Sequence, residues 1–168
     1  MILANTLDYK HIDLDKYISK KEGKSISKIF SKQGEEVFRQ LEYKYLKEIF
    51  EKYNSGIVLS TGGGTPLIKG IWEIFNKNGT TFYLSVPPNK IIERLNPEEI
   101  HKRPLLSQLG NDILDAYVWE HLRERLPFYH KADYIIDTAG KNHYEIAADI
   151  LAIIEKQKLT QQIKNSGL

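Results

Sequence analysis

Two carboxylates, three consecutive glycines and a few arginines are the residues of this chain whose types and spacing could do chemistry. Asp13 and Asp15 close an alternating run, Tyr9-Lys10-His11-Ile12-Asp13-Leu14-Asp15. At the end of a strand, period-two geometry points both carboxylates to one side. Such a pair can hold a hydrated Mg²⁺ or take a proton from a substrate hydroxyl. Solvated turn residues are the bland alternative. Ile57-Val58-Leu59-Ser60-Thr61-Gly62-Gly63-Gly64 is an apolar run that stops in glycine. A short β-branched run bounded by glycine reads as a buried strand of a parallel sheet. Bare backbone at its carboxyl end lets a ligand approach the amides. On these grounds alone a phosphate cradle and a flexible turn both fit the triplet.

Arg39 lies beside Phe38 and three residues before Glu42. That spacing suits a surface ion pair, and it equally suits a guanidinium reaching from a cleft toward a carboxylate. Arg103-Pro104-Leu105-Leu106 falls in an aperiodic stretch from about 96 to 112, which is the length of many lids. An arginine there can close over transferring phosphates, or simply be solvated. Arg123 and Arg125 sit near the end of a predicted helix, whose dipole they would complement. The histidines show no pair at metal-ligand spacing, and no Gly-x-Ser-x-Gly elbow is present. Gly23-Lys24-Ser25 imitates the end of a Walker A motif, but Ile18 stands where its first glycine belongs.

Strand and helix patterns alternate throughout, which predicts an α/β fold with parallel strands and crossover helices. Strands are expected at Tyr9–Asp15, at Ile57–Ser60, at Thr81–Val86 and near Tyr134–Ile136. Ser25 is the expected N-cap of a short helix, and a longer helix follows Gly34 with Phe38, Leu41, Tyr45, Ile49 and Tyr53 at helical spacing. Further helices are expected around Ile68–Phe75, around Ile91–Leu95, from about Asp112 to Leu126 and from about Tyr144. The tail beyond Lys158 is expected to fray. The 168 residues predict a single domain, and 41% hydrophobic with 27% charged content is ordinary for a globular protein. A net charge of +2 gives no mandate for nucleic acid or membrane partners. The absence of cysteine removes disulfides and thiolate metal sites. The opening residues lack a signal-peptide pattern, so a soluble, cytoplasmic protein, monomeric in the simplest case, is expected.

The order of these motifs is more specific than any one of them. Ile12-Asp13-Leu14-Asp15, Glu22-Gly23-Lys24-Ser25-Ile26 with Ile29-Phe30, and Gly34-Glu35 with Phe38-Arg39 and Glu42 closely resemble the shikimate kinases. The match continues through Ser60-Thr61-Gly62-Gly63-Gly64, Arg94, Arg103-Pro104-Leu105-Leu106, Arg125 with Pro127 and Tyr129, and Ala132-Asp133. It runs from about Leu3 to about Ile154. The resemblance implies a three-layer P-loop kinase-like fold and an ATP- and Mg²⁺-dependent kinase for the 3-hydroxyl of shikimate, on the route to chorismate and the aromatic amino acids. It implies that Asp15 orients or deprotonates the acceptor and that Asp13 holds Mg²⁺. Arg39 and Arg125 would take the substrate carboxylate beside the amides of Gly62, Gly63 and Gly64. Arg103 would reach the ATP phosphates and Arg94 the adenine, with Phe30, Phe38 and Leu106 lining the pocket. The glycine triplet thereby moves from the phosphate side to the acceptor side.

The family pattern also contains a first strand followed by G-x-x-x-x-G-K-[ST], and this sequence contains no such run. Leu3 to Leu7 matches the later part of the helix that should follow it, so roughly 20 residues of strand, loop and first helical turns are expected to be lacking. In the family that strand is central, between the strand ending at Ser60 and the one near Phe82. The expectation is therefore a kinase recorded without its first segment. The alternatives are a non-catalytic shikimate-binding or regulatory module, or an inactive fragment of the kinase.

Overall fold

A computed structural model describes residues 1–94 and 111–165. The chain divides into two compact units, one of Met1–Thr81 with Ala147–Leu168 and one of Phe82–Ile146. The first contains α1 (Ile2–Thr6), β1 (Lys10–Asp13), α2 (Leu14–Glu22), α3 (Ile26–Lys52), β2 (Ile57–Ser60), a 3₁₀ turn (Thr65–Leu67) and α4 (Ile71–Asn78). β1 and β2 pair in parallel, from Lys10 opposite Ile57 to Asp13 opposite Ser60. Parallel neighbours need a long crossover, and α2 and α3 supply it.

Local chemistry sets the breaks along that crossover. Asp13 caps α2, its carboxylate accepting the Lys16 amide at 3.0 Å. Gly23 ends α2 in the left-handed region at φ 61°, where glycine carries no Cβ penalty. Ser25 then caps α3 through the Lys28 amide at 3.2 Å. Gly23-Lys24-Ser25 is thus a helix end and a helix start, as its poor match to a phosphate loop predicts. Gly34, at φ 83° and ψ 172°, divides α3 into the short and long helices expected on either side of it.

The expected strand to Asp15 needs correction. It ends at Asp13, because that side chain bonds the amide of Lys16 and starts a helix. Asp15 therefore lies in the first turn of α2, and period-two geometry does not relate the two carboxylates.

In the first unit Ile12, Leu14, Ile18, Ile29, Phe38, Leu46, Ile49, Ile71 and Phe75 form one buried cluster. Polar bonds fix α2 on α3 around it. Tyr45 donates its hydroxyl to Glu22 at 2.5 Å, Tyr17 donates to Glu48 at 2.8 Å, and Lys21 pairs with the same Glu48. These contacts hold the helix bearing Asp15 against the helix bearing Arg39.

The second unit contains β3 (Phe82–Ser85), α5 (Pro88–Arg94), α6 (Asn111–Tyr129), β4 (Tyr134–Asp137) and the start of α7 (His143–Asn165). β3 and β4 are parallel, from Phe82 opposite Tyr134 to Ser85 opposite Asp137. Phe82 stacks on Tyr134 with ring centroids 5.5 Å apart, and Thr138 donates its hydroxyl to the Ser85 carbonyl at 2.8 Å. The described strands therefore form two parallel pairs, in agreement with the α/β pattern of the sequence.

The Glu22 bond, followed by burial, pushes the Tyr45 phenol from 10.0 up to about 12. Below pH 10 the phenol is protonated in folded and unfolded chains alike, so its contribution is complete there. It is lost as pH rises toward 12, where only the folded state still holds the proton. Tyr45→Phe is expected to lower the unfolding free energy by about 1 kcal/mol at neutral pH. In urea titrations at a series of pH values, the gap between the two proteins should close over that alkaline range.

Candidate functional site

Asp15, Gly62 and Thr65 meet Arg39 and Glu42 at the carboxyl end of the β1–β2 pair. A β-carbon placed on Gly62 would lie 3.7 Å from Glu42 Oε1, 3.7 Å from Thr65 Oγ1 and 3.8 Å from Asp15 Oδ1. Three elements thereby converge on the glycine triplet: Asp15 from the first turn of α2, Arg39 and Glu42 from α3, and Thr65 from the 3₁₀ turn.

Asp15 Oδ1 is buried and has no hydrogen-bond partner among the described residues. A buried carboxylate oxygen without a donor is costly unless a ligand supplies one. Burial, and then the charge of Asp13, raise the Asp15 pKa, while the Arg39 charge opposes them. The group is a proton acceptor moved toward the range useful to a base.

Arg39 is far from an ordinary surface pair. Its Nη1 donates to Glu42 Oε2 at 2.6 Å, and the Glu42 side chain is wholly buried. Its Nε and Nη2 donate to Glu35 Oε1 at 3.2 and 2.7 Å, on a carboxylate that is mostly solvated. A guanidinium has five N–H groups, so these three bonds leave one on each terminal nitrogen, a fork suited to a carboxylate. Burial works against the Arg39 charge, but the bonds to Glu42 and Glu35 outweigh it and raise its pKa.

The triplet has a steric role beside its amides. Gly64 has φ −87° and ψ −21°, a conformation open to any residue. A β-carbon there would nevertheless fall 2.2 Å from Arg39 Nη2 and 2.4 Å from its Cζ. Gly64 is therefore the seat on which the guanidinium lies. Sequence reading gave the triplet only amides to offer, because a contact between residues 39 and 64 has no local signature.

Glu42 and Thr65 are the functional residues that reading by motif undervalued. Thr65 donates its hydroxyl to Glu42 Oε1 at 2.5 Å, and both side chains are fully buried. A signal for Glu42 was present: it interrupts the buried stripe of Phe38, Tyr45 and Ile49 on α3, where a solvated carboxylate does not belong. Thr65 had none.

The remaining expected residues divide between units and described regions. Asp13 uses one oxygen as the α2 cap. Among the described residues no group of three or more His, Asp or Glu side chains is gathered for a metal. Arg125 stands in α6, in the second unit, with Nη2 donating to His121 Nε2 at 2.8 Å. Arg94 ends α5. Arg103, Leu106 and nearly all of the expected lid at 96–112 lie outside the described residues, as does the extreme end of the tail. Phe30 and Phe38 pack across the Gly34 break with ring centroids 4.6 Å apart. None of the described helices is long and apolar enough to cross a membrane.

Parallel strands joined by crossover helices, shared with solved shikimate kinase structures, place the chain in the P-loop kinase fold class. The family model for shikimate kinase matches residues 1–155, and the chain belongs to the shikimate kinase family. It is 38% identical over 135 residues to the shikimate kinase of Parabacteroides distasonis, an alignment covering 80% of this chain and 76% of that protein. It is 37% identical over 155 residues to that of Thermodesulfovibrio yellowstonii, covering 92% and 86%. The solved structure of the Acinetobacter baumannii shikimate kinase in complex with shikimate superposes with a TM-score of 0.81 at 32% identity, covering 94% of this chain and 84% of that one. Membership makes the chain an ATP-dependent phosphotransferase of aromatic amino acid biosynthesis.

Gly64→Ala is expected to keep the backbone fold and lift Arg39 from its seat. The buried Glu42 would then lose its cation, at a cost of about 1–3 kcal/mol. Urea unfolding of the variant beside the parent protein reads that loss directly.

Proposed function

We propose that Asp15, Arg39 and the glycine triplet form the acceptor site for shikimate, whose 3-hydroxyl receives the γ-phosphoryl group of ATP. The observation that carries this reading is the buried Asp15 Oδ1, unpartnered among the described residues, in the same cluster as an arginine with two N–H groups that bond none of them. Shikimate presents hydroxyls to the first and a carboxylate to the second. In the reaction the 3-hydroxyl oxygen attacks the γ-phosphorus, its proton passes to the Asp15 carboxylate, and ADP leaves. The raised pKa of Asp15 favours its accepting that proton.

The other assignments follow from position in the family motifs. Arg125 is a second ligand for the substrate carboxylate. Arg103 neutralises charge developing on the transferred phosphoryl group, and Arg94 borders the nucleotide. Asp13 suits Mg²⁺, which commonly takes one or two carboxylates together with waters and substrate phosphates. Its second carboxylate oxygen remains beyond the one committed to the α2 cap. Bound Mg²⁺ would supply charge neutralisation on the ATP phosphates.

Calorimetric titration with shikimate, without nucleotide, tests the acceptor site on this chain. Arg39→Ala should weaken binding by about 2 kcal/mol or more, roughly thirtyfold, because it deletes one partner of a desolvated charge pair. Asp15→Asn should weaken it as well, since the amide cannot reproduce a carboxylate acceptor. Unchanged affinity in both variants would overturn the assignment. In turnover measurements Arg103→Ala should lower kcat with little effect on the shikimate KM, because its partner charge develops only during transfer; a change confined to KM would contradict that role.

A further inference from the structure

We infer that Thr65 is a positioning residue for substrate, acting on the carboxylate-binding Arg39 through the buried carboxylate of Glu42. The inference rests on the acceptor-site reading above and goes beyond it. Thr65 donates to Glu42 Oε1 at 2.5 Å, and Glu42 Oε2 accepts from Arg39 Nη1 at 2.6 Å. Thr65 and Glu42 are both fully buried, so water does not replace either bond.

Among the described residues each Glu42 oxygen thus has one side-chain donor, and the two donors come from different elements. A buried carboxylate holds a fixed position only while its oxygens are satisfied by donors. Without the Thr65 hydroxyl, Oε1 loses that donor and lies beside Gly62, which has no side chain to replace it. Glu42 must then rotate toward another donor, and that loosens its hold on Arg39.

Thr65 is itself firmly placed. Its amide bonds the Gly62 carbonyl at 3.1 Å, Pro66 follows it in the 3₁₀ turn, and the Trp72 indole holds the Pro66 carbonyl at 2.9 Å. A β-branched side chain on so fixed a backbone has little χ1 freedom. Arg39 has a long side chain, whose ordering would otherwise cost entropy on binding. Its three bonds to two α3 carboxylates and its seat on Gly64 order it beforehand. Of its two carboxylate partners Glu35 is solvated and screened, so Glu42 is the one that fixes it.

Thr65→Val removes the hydroxyl and keeps the shape, and Thr65→Ser keeps the hydroxyl. Calorimetry with shikimate should show binding weakened about three- to tenfold in the valine variant, the scale expected when one long side chain loses preorganisation. The serine variant should bind like the parent chain. Uncharged shikimate methyl ester should bind parent and valine variant alike, since Arg39 has no carboxylate to meet. In an Arg39→Ala background Thr65→Val should add nothing. The Arg39 Nε–H resonance of the free protein should shift in the valine variant and not in the serine one. If the valine variant does not fold, Thr65→Ala replaces it with the same expected loss. Equal loss for shikimate and its ester, or no loss in a variant where Arg39→Ala does weaken binding, overturns the role of Thr65 alone. No loss on Arg39→Ala overturns the acceptor-site reading, and this inference with it.

Discussion

The carboxylate of Glu42, buried between the Arg39 guanidinium and the Thr65 hydroxyl, is the interaction on which the site depends. Taking a carboxylate out of water costs several kcal/mol, and one ion pair rarely recovers all of it. A hydrophobic residue at this point of the α3 stripe would pack as well against Phe38, Tyr45 and Ile49. What it could not do is hold a guanidinium at one place above Gly64. Under the proposed acceptor-site reading the pair serves recognition more than stability, and the fold is built to tolerate it.

That tolerance is visible in how the surrounding elements are joined. Asp13 ends β1 and starts α2 in a single residue, which puts Asp15 in the first helical turn and not on a strand. Gly23, Ser25 and Gly34 then turn the chain so that α3 runs back across the strands with Arg39 and Glu42 facing the triplet. Tyr45 to Glu22 and Tyr17 to Glu48 lock α2 and α3 together. Asp15 and Arg39 consequently share one region with opposite tasks. Among the described residues one is a buried acceptor lacking a donor, and the other is a donor held by acceptors with capacity to spare.

Much of this was legible in the sequence because it is local. The strand at Ile57–Ser60, the cap at Ser25, the helix break at Gly34 and the false phosphate loop at Gly23-Lys24-Ser25 each depend on a few adjacent residues. The order of the Asp13–Asp15, Phe38–Arg39–Glu42 and Gly62–Gly64 motifs pointed to the family. The strand reading of Asp15 failed where two local rules compete. Alternation favours a strand through Leu14, while the side-chain bond from Asp13 to the Lys16 amide favours a helix, and the cap prevails.

The sequence by itself determined the family, the α/β alternation and which residue types stand ready for a polyhydroxylated anion, because these follow from motif order and periodicity. Only the tertiary structure decided what those residues do to one another. It turned an i,i+3 pair of surface appearance into a buried clamp, made Gly64 a seat for a guanidinium, and brought Thr65 to a carboxylate 23 positions away. Burial and contact between distant elements set the cost of a charge and the direction of a hydrogen bond, and neither quantity is written in the spacing of residues along a chain.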